Sequence, residues 1–109
     1  MREFIAMMRE QGRVEEIERS CSTVYEAPRM ASRAGKILFF HDLDGRRAVM
    51  NLLADRSALA AALGVGERDL VRHLAAATYN GRVVDAGRCR GGIPADLSRL
   101  PVMKHFPGD

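Results

Sequence analysis

The chain has little cysteine, and what it has is poorly placed for chemistry. Its 109 residues hold only Cys21 and Cys89, far apart and with no CxxC or mixed Cys/His spacing. That argues against a disulfide framework or a thiolate metal site and for buried or idle thiols in a reducing, cytoplasmic setting. Long apolar runs are also missing. From Arg2 onward charged and apolar residues alternate, and no stretch reaches the length of a signal peptide or membrane span, so a soluble protein is expected. No sign of charge dominates: 17 Lys+Arg against 14 Asp+Glu leave +3. Arg46-Arg47 and Arg88/Arg90 are the only local concentrations, which reads as a solvated surface rather than a nucleic-acid footprint. Repeats and low-complexity tracts are absent, and proline is scarce until the composition changes near residue 82. Residues 1–81 therefore read as one domain and 82–109 as an extended connecting segment. A chain of this length buries roughly 60 to 70% of the surface its unfolded form exposes and needs no covalent staples.

What is present is organised around 36–53. Ile37-Leu-Phe-Phe40 is too short for a helix, Asp44-Gly45 suits positive φ, and Ala48 to Leu53 resumes the apolar run. This predicts a strand pair (about 36–40 and 47–53) buried on both faces, hence covered by helices. Met1 to Gln11 has the period of an amphipathic helix, with Phe4, Ile5 and Met8 on one face, Arg2, Glu3, Arg9 and Glu10 on the other, and Gly12 as its stop. Arg13 to Glu18 suggests a short edge strand. Ser22 or Thr23 is a candidate N-cap, and Thr23 with Glu26 has capping-box spacing for a helix over about 23–34, with Val24, Ala27, Ala31 and Ala34 inward and Gly35 closing it. Pro28 conflicts with a start at Thr23 and favours regular helix from near Ala27. Asp55 or Ser57 can cap 56–63 before Gly64. A further helix over 67–78 would turn Leu70, Val71, Leu74 and Thr78 inward before Asn80-Gly81. The expected class is α+β, a small mixed sheet covered by helices.

Two resemblances arise. Leu59-Ala-Ala-Ala-Leu-Gly-Val-Gly-Glu-Arg-Asp-Leu-Val-Arg-His-Leu74 is similar to a helix-turn-helix, so a small DNA-binding regulator using residues 56–78, with Arg68, Arg72 and His73 facing the groove, is one alternative. Glu67 and Asp69 oppose it, because two carboxylates would lead the reading helix toward a polyanion. The broader resemblance is carried by Arg2-Glu-Phe-Ile5, Thr23-Val-Tyr-Glu-Ala27, Ile37-Leu-Phe-Phe40, Asn51-Leu52, Arg56, Leu59-Ala-Ala-Ala-Leu-Gly-Val65 and Asp96-Leu-Ser-Arg-Leu-Pro-Val-Met-Lys-His-Phe-Pro-Gly-Asp109. In this order and spacing they resemble the N-terminal domain of UbiD-type decarboxylases. The link between the two strands is tighter than that family's, and Ala48 stands where a proline is common. Ser22-Thr-Val-Tyr-Glu26 most resembles archaeal-type members, some of which act on a phosphorylated isoprenoid-pathway acid.

The resemblance implies reversible, non-oxidative removal of CO2 from an aromatic or α,β-unsaturated acid. It also implies prenylated FMN, a divalent metal (manganese or magnesium) and potassium in the complete enzyme, a homo-oligomer with no nucleic-acid partner. The family's Glu-Arg-Glu catalytic set and its Asn, His and Glu ligands would lie beyond Asp109, on a catalytic region or partner chain. No catalytic, cofactor-binding or metal residue is thus assigned to this chain, which alone is expected to be inactive and free of cofactor. A catalytically silent interaction domain is the third reading. His41, His73 and His105 stand in unrelated contexts, Arg88-Cys-Arg-Gly-Gly92 lacks the strand-to-helix frame of a phosphate loop, and Asp42 and Asp44 suit a turn. Ile93, Leu97, Leu100, Val102, Met103 and Phe106 predict that 97–106 docks on this domain or on a catalytic partner.

Overall fold

The computed structural model describes residues 1–77, 100 and 102–108. Its centre is a three-stranded mixed sheet in the order β1-β2-β3. β1 (Val14–Cys21) runs parallel to β2 (Ile37–Leu43), and β2 is antiparallel to β3 (Arg46–Met50). Parallel neighbours need a crossover, and α2 (Glu26–Arg33) supplies it. The β2–β3 link is the two-residue turn expected, with Asp44 at φ 49° and Gly45 at φ 80°, the pair of left-handed residues that matches strand twist.

Alternation along β2 assigns its two faces. Phe40 pairs with Ile17 on one side and Ala48 on the other, and this row joins Leu38, Leu43, Cys21, Ala27 and Ala31 in the core beneath α2. Phe40 and Leu43 are three apart yet reach the same core, because the ladder to β3 slips by one residue between them. On the other face the row is Glu16–Phe39–Val49, and α1 (Arg2–Glu10) lies over it with Ile5 and Met8 buried. Each fully buried large side chain, Phe40, Met8, Leu38 and Leu43, contributes about 1.5 to 3 kcal/mol.

Glycines end two helices by the same device. Gly12 (φ 67°) follows α1, and the amides of Gly12 and Arg13 return to the carbonyls of Arg9 and Met8. Gly64 (φ 68°) follows α3 (Arg56–Ala62), with Gly64 and Val65 returning to Ala61 and Ala60. Both are Schellman closures, which need the left-handed residue that glycine provides without strain. A single 3₁₀ turn at Glu67–Asp69 leads into α4 (Leu70–Ala76).

Several expectations are corrected. β1 extends to Cys21, three residues beyond the expected Glu18, and holds Ile17 and Cys21 in the core. β3 is only half-buried, since among the described residues no further strand covers its outer edge, and it stops at Met50 because Asn51 turns to φ 59°. α2 begins at Glu26 rather than Thr23, within one residue of the start that Pro28 favoured, and this puts Pro28 in the first turn, where its missing N–H costs nothing. The Thr23–Glu26 capping box does not form: the Thr23 amide donates to Asp44 Oδ2 (2.8 Å), and Glu26 accepts from the Ser22 amide (2.9 Å). Val24 is exposed, and Ala34 leaves the helix in an extended conformation, so Gly35 needs no positive φ. In α4 only Leu70 is buried, whereas Val71 and Leu74 face outward. Thr78, Cys89, Arg88, Arg90, Gly91, Gly92, Ile93 and Leu97 lie outside the described residues.

The end of the chain returns to this domain. Lys104 forms an isolated parallel bridge with Val24: Tyr25 N–H donates to the Lys104 carbonyl (3.0 Å) and Lys104 N–H to the Thr23 carbonyl (3.1 Å). Met103 packs against the α2-side core, while Leu100, Val102 and Phe106 remain exposed. Among the described residues no helix is long and apolar enough to cross a membrane.

Candidate functional site

The α1 face of the sheet is where charged and aromatic side chains converge. Arg2, Ile5 and Arg9 follow one another at helical spacing, and with Phe39 and Arg47 they line a groove of about 560 Å³. The helix reading that set Arg2 and Arg9 opposite Ile5 is corrected here. Long arginine stems lie along an apolar face while their guanidinium groups stay in water. The Arg9 guanidinium sits 4.4 Å from the Phe39 ring centroid, within cation–π range.

Behind that contact is a short polar chain. Arg9 Nε and Nη2 donate to the two carboxylate oxygens of Glu16, and His41 Nε2 lies 2.7 Å from Glu16 Oε2. The Phe39 and His41 rings meet edge to face at 5.0 Å. The bonds from Arg9, then the one from His41, hold the Glu16 carboxyl below its ordinary range, and Glu16 in turn raises the Arg9 guanidinium. Glu16 is therefore an anion that orients its neighbours, not a proton donor near neutrality. Among the described residues Arg2 and Arg47 have no ion-pair partner.

A second network fixes the entry to α2. Asp44 takes the Thr23 amide and is kept ionised by bonds from Thr23, while Glu26 is kept ionised first by the Ser22 amide and then by Arg19. Between them Tyr25 is held at φ 64°, unusual for a bulky residue, with its amide spent on Lys104. Asp42 Oδ1 accepts from Gly45 N–H (2.8 Å), so both turn aspartates shape backbone as expected. Cys21 is buried, and desolvation pushes its thiol up, so it is not a ready nucleophile.

On the α3–α4 side, Arg72 donates to Asp69 (2.6 Å) and Arg56 to the Glu67 carbonyl (3.3 Å). Arg68 and His73 are exposed, and Arg72 is occupied by the carboxylate that opposed DNA binding. His41, His73 and His105 do not meet: His41 belongs to the Glu16 cluster, His73 lines a hollow with Asp69 and Arg72, and His105 lines another with Tyr25 and Arg29. No group of three His, Cys, Asp or Glu among the described residues could hold a metal ion. The donors among the described residues therefore do not fit the divalent metal that the resemblance implies for the complete enzyme, and no chemical step is assigned to them.

The chain is similar to a protein-family model and to a known decarboxylase. The family model described as the 3-octaprenyl-4-hydroxybenzoate carboxy-lyase N-terminal domain matches residues 5–78. An anhydromevalonate phosphate decarboxylase of Methanosarcina mazei is 32% identical over 116 residues, covering 99% of this chain and 26% of that protein. The chain thus spans about a quarter of that curated relative's length.

Proposed function

The chain belongs to the UbiD family, through its N-terminal carboxy-lyase domain, and from that membership we propose that it serves as the N-terminal part of a UbiD-type decarboxylase acting on a phosphorylated α,β-unsaturated carboxylic acid. The observation that carries this reading is a likeness that runs through 99% of the chain to a protein named for decarboxylating anhydromevalonate phosphate. Reversible, non-oxidative loss of CO2 requires a group that accepts electron density as the carboxylate departs. Prenylated FMN supplies that chemistry in the family, with a divalent metal and potassium, on a catalytic region outside residues 1–109. What this domain contributes is a folded unit to whose core and α2 entry Met103 and Lys104 are fastened. A cytoplasmic setting and a homo-oligomeric complete enzyme belong to the same proposal.

The test is complementation in vitro. The DNA after Asp109 and the adjacent reading frame are searched for a polypeptide bearing the Glu-Arg-Glu set, which is purified with prenylated FMN. CO2 release from anhydromevalonate phosphate is then measured with and without this chain. Release by the pair, and none by this chain alone, is the expected result. Flavin absorbance that stays with the isolated chain through gel filtration, or a catalytic polypeptide unaffected by it, would overturn the assignment.

A further inference from the structure

The α1 face of the sheet carries more positive charge than its own contacts use. We infer that the groove between α1 and the β2–β3 hairpin is a binding site for a phosphomonoester with a short apolar body, an inference that rests on the proposed decarboxylation of a phosphorylated acid and says where on this domain such a ligand would be held. Arg2, Arg9 and Arg47 line a half-open groove of about 560 Å³, whose other walls are Ile5 and Phe39. Glu16 offsets only one of the three guanidinium groups, so two positive charges are left in the groove. A phosphomonoester carries about −1.5 to −2 near neutrality and accepts several hydrogen bonds, which matches that surplus.

Preorganisation supports the same ligand. Arg9 is fixed on two sides, by the Phe39 ring and by the Glu16 carboxylate, so little side-chain entropy remains to be lost when an anion arrives. The phosphate would sit between Arg2, Arg9 and Arg47, and a hydrocarbon of a few carbons would lie on Ile5 and Phe39. A long polyanion fits less well. Glu3 and Glu10 stand exposed beside Arg2 and Arg9 near the two ends of α1, and Glu16 stands beyond Phe39, so an acidic peptide or nucleic acid would meet like charge on leaving the groove.

The experiment is an NMR titration of the 109-residue chain, following the Arg9 Nε–H and the amides of Phe39 and Arg47, with n-butyl phosphate, inorganic phosphate, n-butyrate and tetraglutamate as probes. Saturable shifts confined to the groove are expected with n-butyl phosphate. Inorganic phosphate should bind more weakly, by about fourfold for each CH2 that the groove buries. Arg47→Gln and Arg2→Gln should each weaken n-butyl phosphate by about tenfold, the worth of one charge-assisted hydrogen bond, without lowering the thermal midpoint. Arg29→Gln, on α2, should change nothing. Tighter binding of tetraglutamate, no saturation with n-butyl phosphate, or equal binding by Arg47→Gln would each overturn the site.

Discussion

Removing the side chain of Asp55 tests how the sheet is coupled to the helices that follow it. Asp55 does two things at once: its Oδ1 accepts the Ala58 amide at 2.7 Å as the N-cap of α3, and its two oxygens accept Arg13 Nη2 at 2.9 and 2.7 Å. Arg13 immediately precedes β1, so one carboxylate ties the sheet to α3 across 42 residues. Losing an Asp cap to alanine costs about 1 kcal/mol. The ion pair adds less, about 0.5 kcal/mol, because the Arg13 and Asp55 side chains remain 28% and 49% exposed and water screens them. Asp55→Ala should therefore cost about 1.5 kcal/mol, and Asp55→Asn, which caps nearly as well but carries no charge, only about 0.5 kcal/mol. Urea melts followed by circular dichroism should show the first as a loss of about 1 M in midpoint. Arg13→Met should match Asp55→Asn and add nothing to it in the double variant. The Asp55 carboxyl is held below its ordinary value, by the Ala58 amide first and Arg13 second. Near pH 4 the unfolded chain thus binds more protons than the folded one, and stability falls as pH falls. The gap between wild type and Asp55→Ala should be constant from pH 7 to about pH 5 and narrow below that. An Asp55→Asn variant as unstable as Asp55→Ala would refute the cap as the larger contribution.

Two further outcomes follow from the core and the backbone. Phe40→Ala removes the largest fully buried side chain from the row shared with Ile17 and Ala48, and should cost about 3 to 5 kcal/mol, leaving the chain marginally folded in a thermal melt. A loss under about 1 kcal/mol would mean that the core collapses freely around the gap. Asn51 sits at φ 59° and donates from Nδ2 to the Ala31 carbonyl at 2.7 Å, joining the end of β3 to α2. Asn51→Gly should lose only the hydrogen bond, about 1 kcal/mol, and Asn51→Ala should cost more because it adds left-handed strain. Equal melting temperatures for the two variants would show that backbone conformation contributes nothing there.

Features that depend on near neighbours were determined by the sequence alone. Gly12 and Gly64 end their helices, Asp44-Gly45 turns the hairpin, and Asp55, one of two caps the sequence offered beside Ser57, caps α3, since each rests on bonds within a few residues. The α+β class followed from the same punctuation and from the resemblance of several short motifs in order. Tertiary structure decided what depends on distant partners. That β1 pairs in parallel with β2, and so reaches Cys21, depends on strands 23 residues apart in sequence at Val14 and Ile37. Glu26 was read as half of a capping box with Thr23, but Asp44 took the Thr23 amide because the hairpin turn comes to rest beside it. Period alone likewise set Val71 and Leu74 inward, yet periodicity identifies an apolar stripe without saying whether another element covers it. The groove was hidden for a related reason. Arg2, Arg9, Arg47 and Glu16 each read as ordinary surface charge, and the helical spacing of Arg2, Ile5 and Arg9 was the one local hint. Only the packing of α1 over Phe39 gathers them, because a cluster drawn from a helix and three strands has no signature in any single window of the chain.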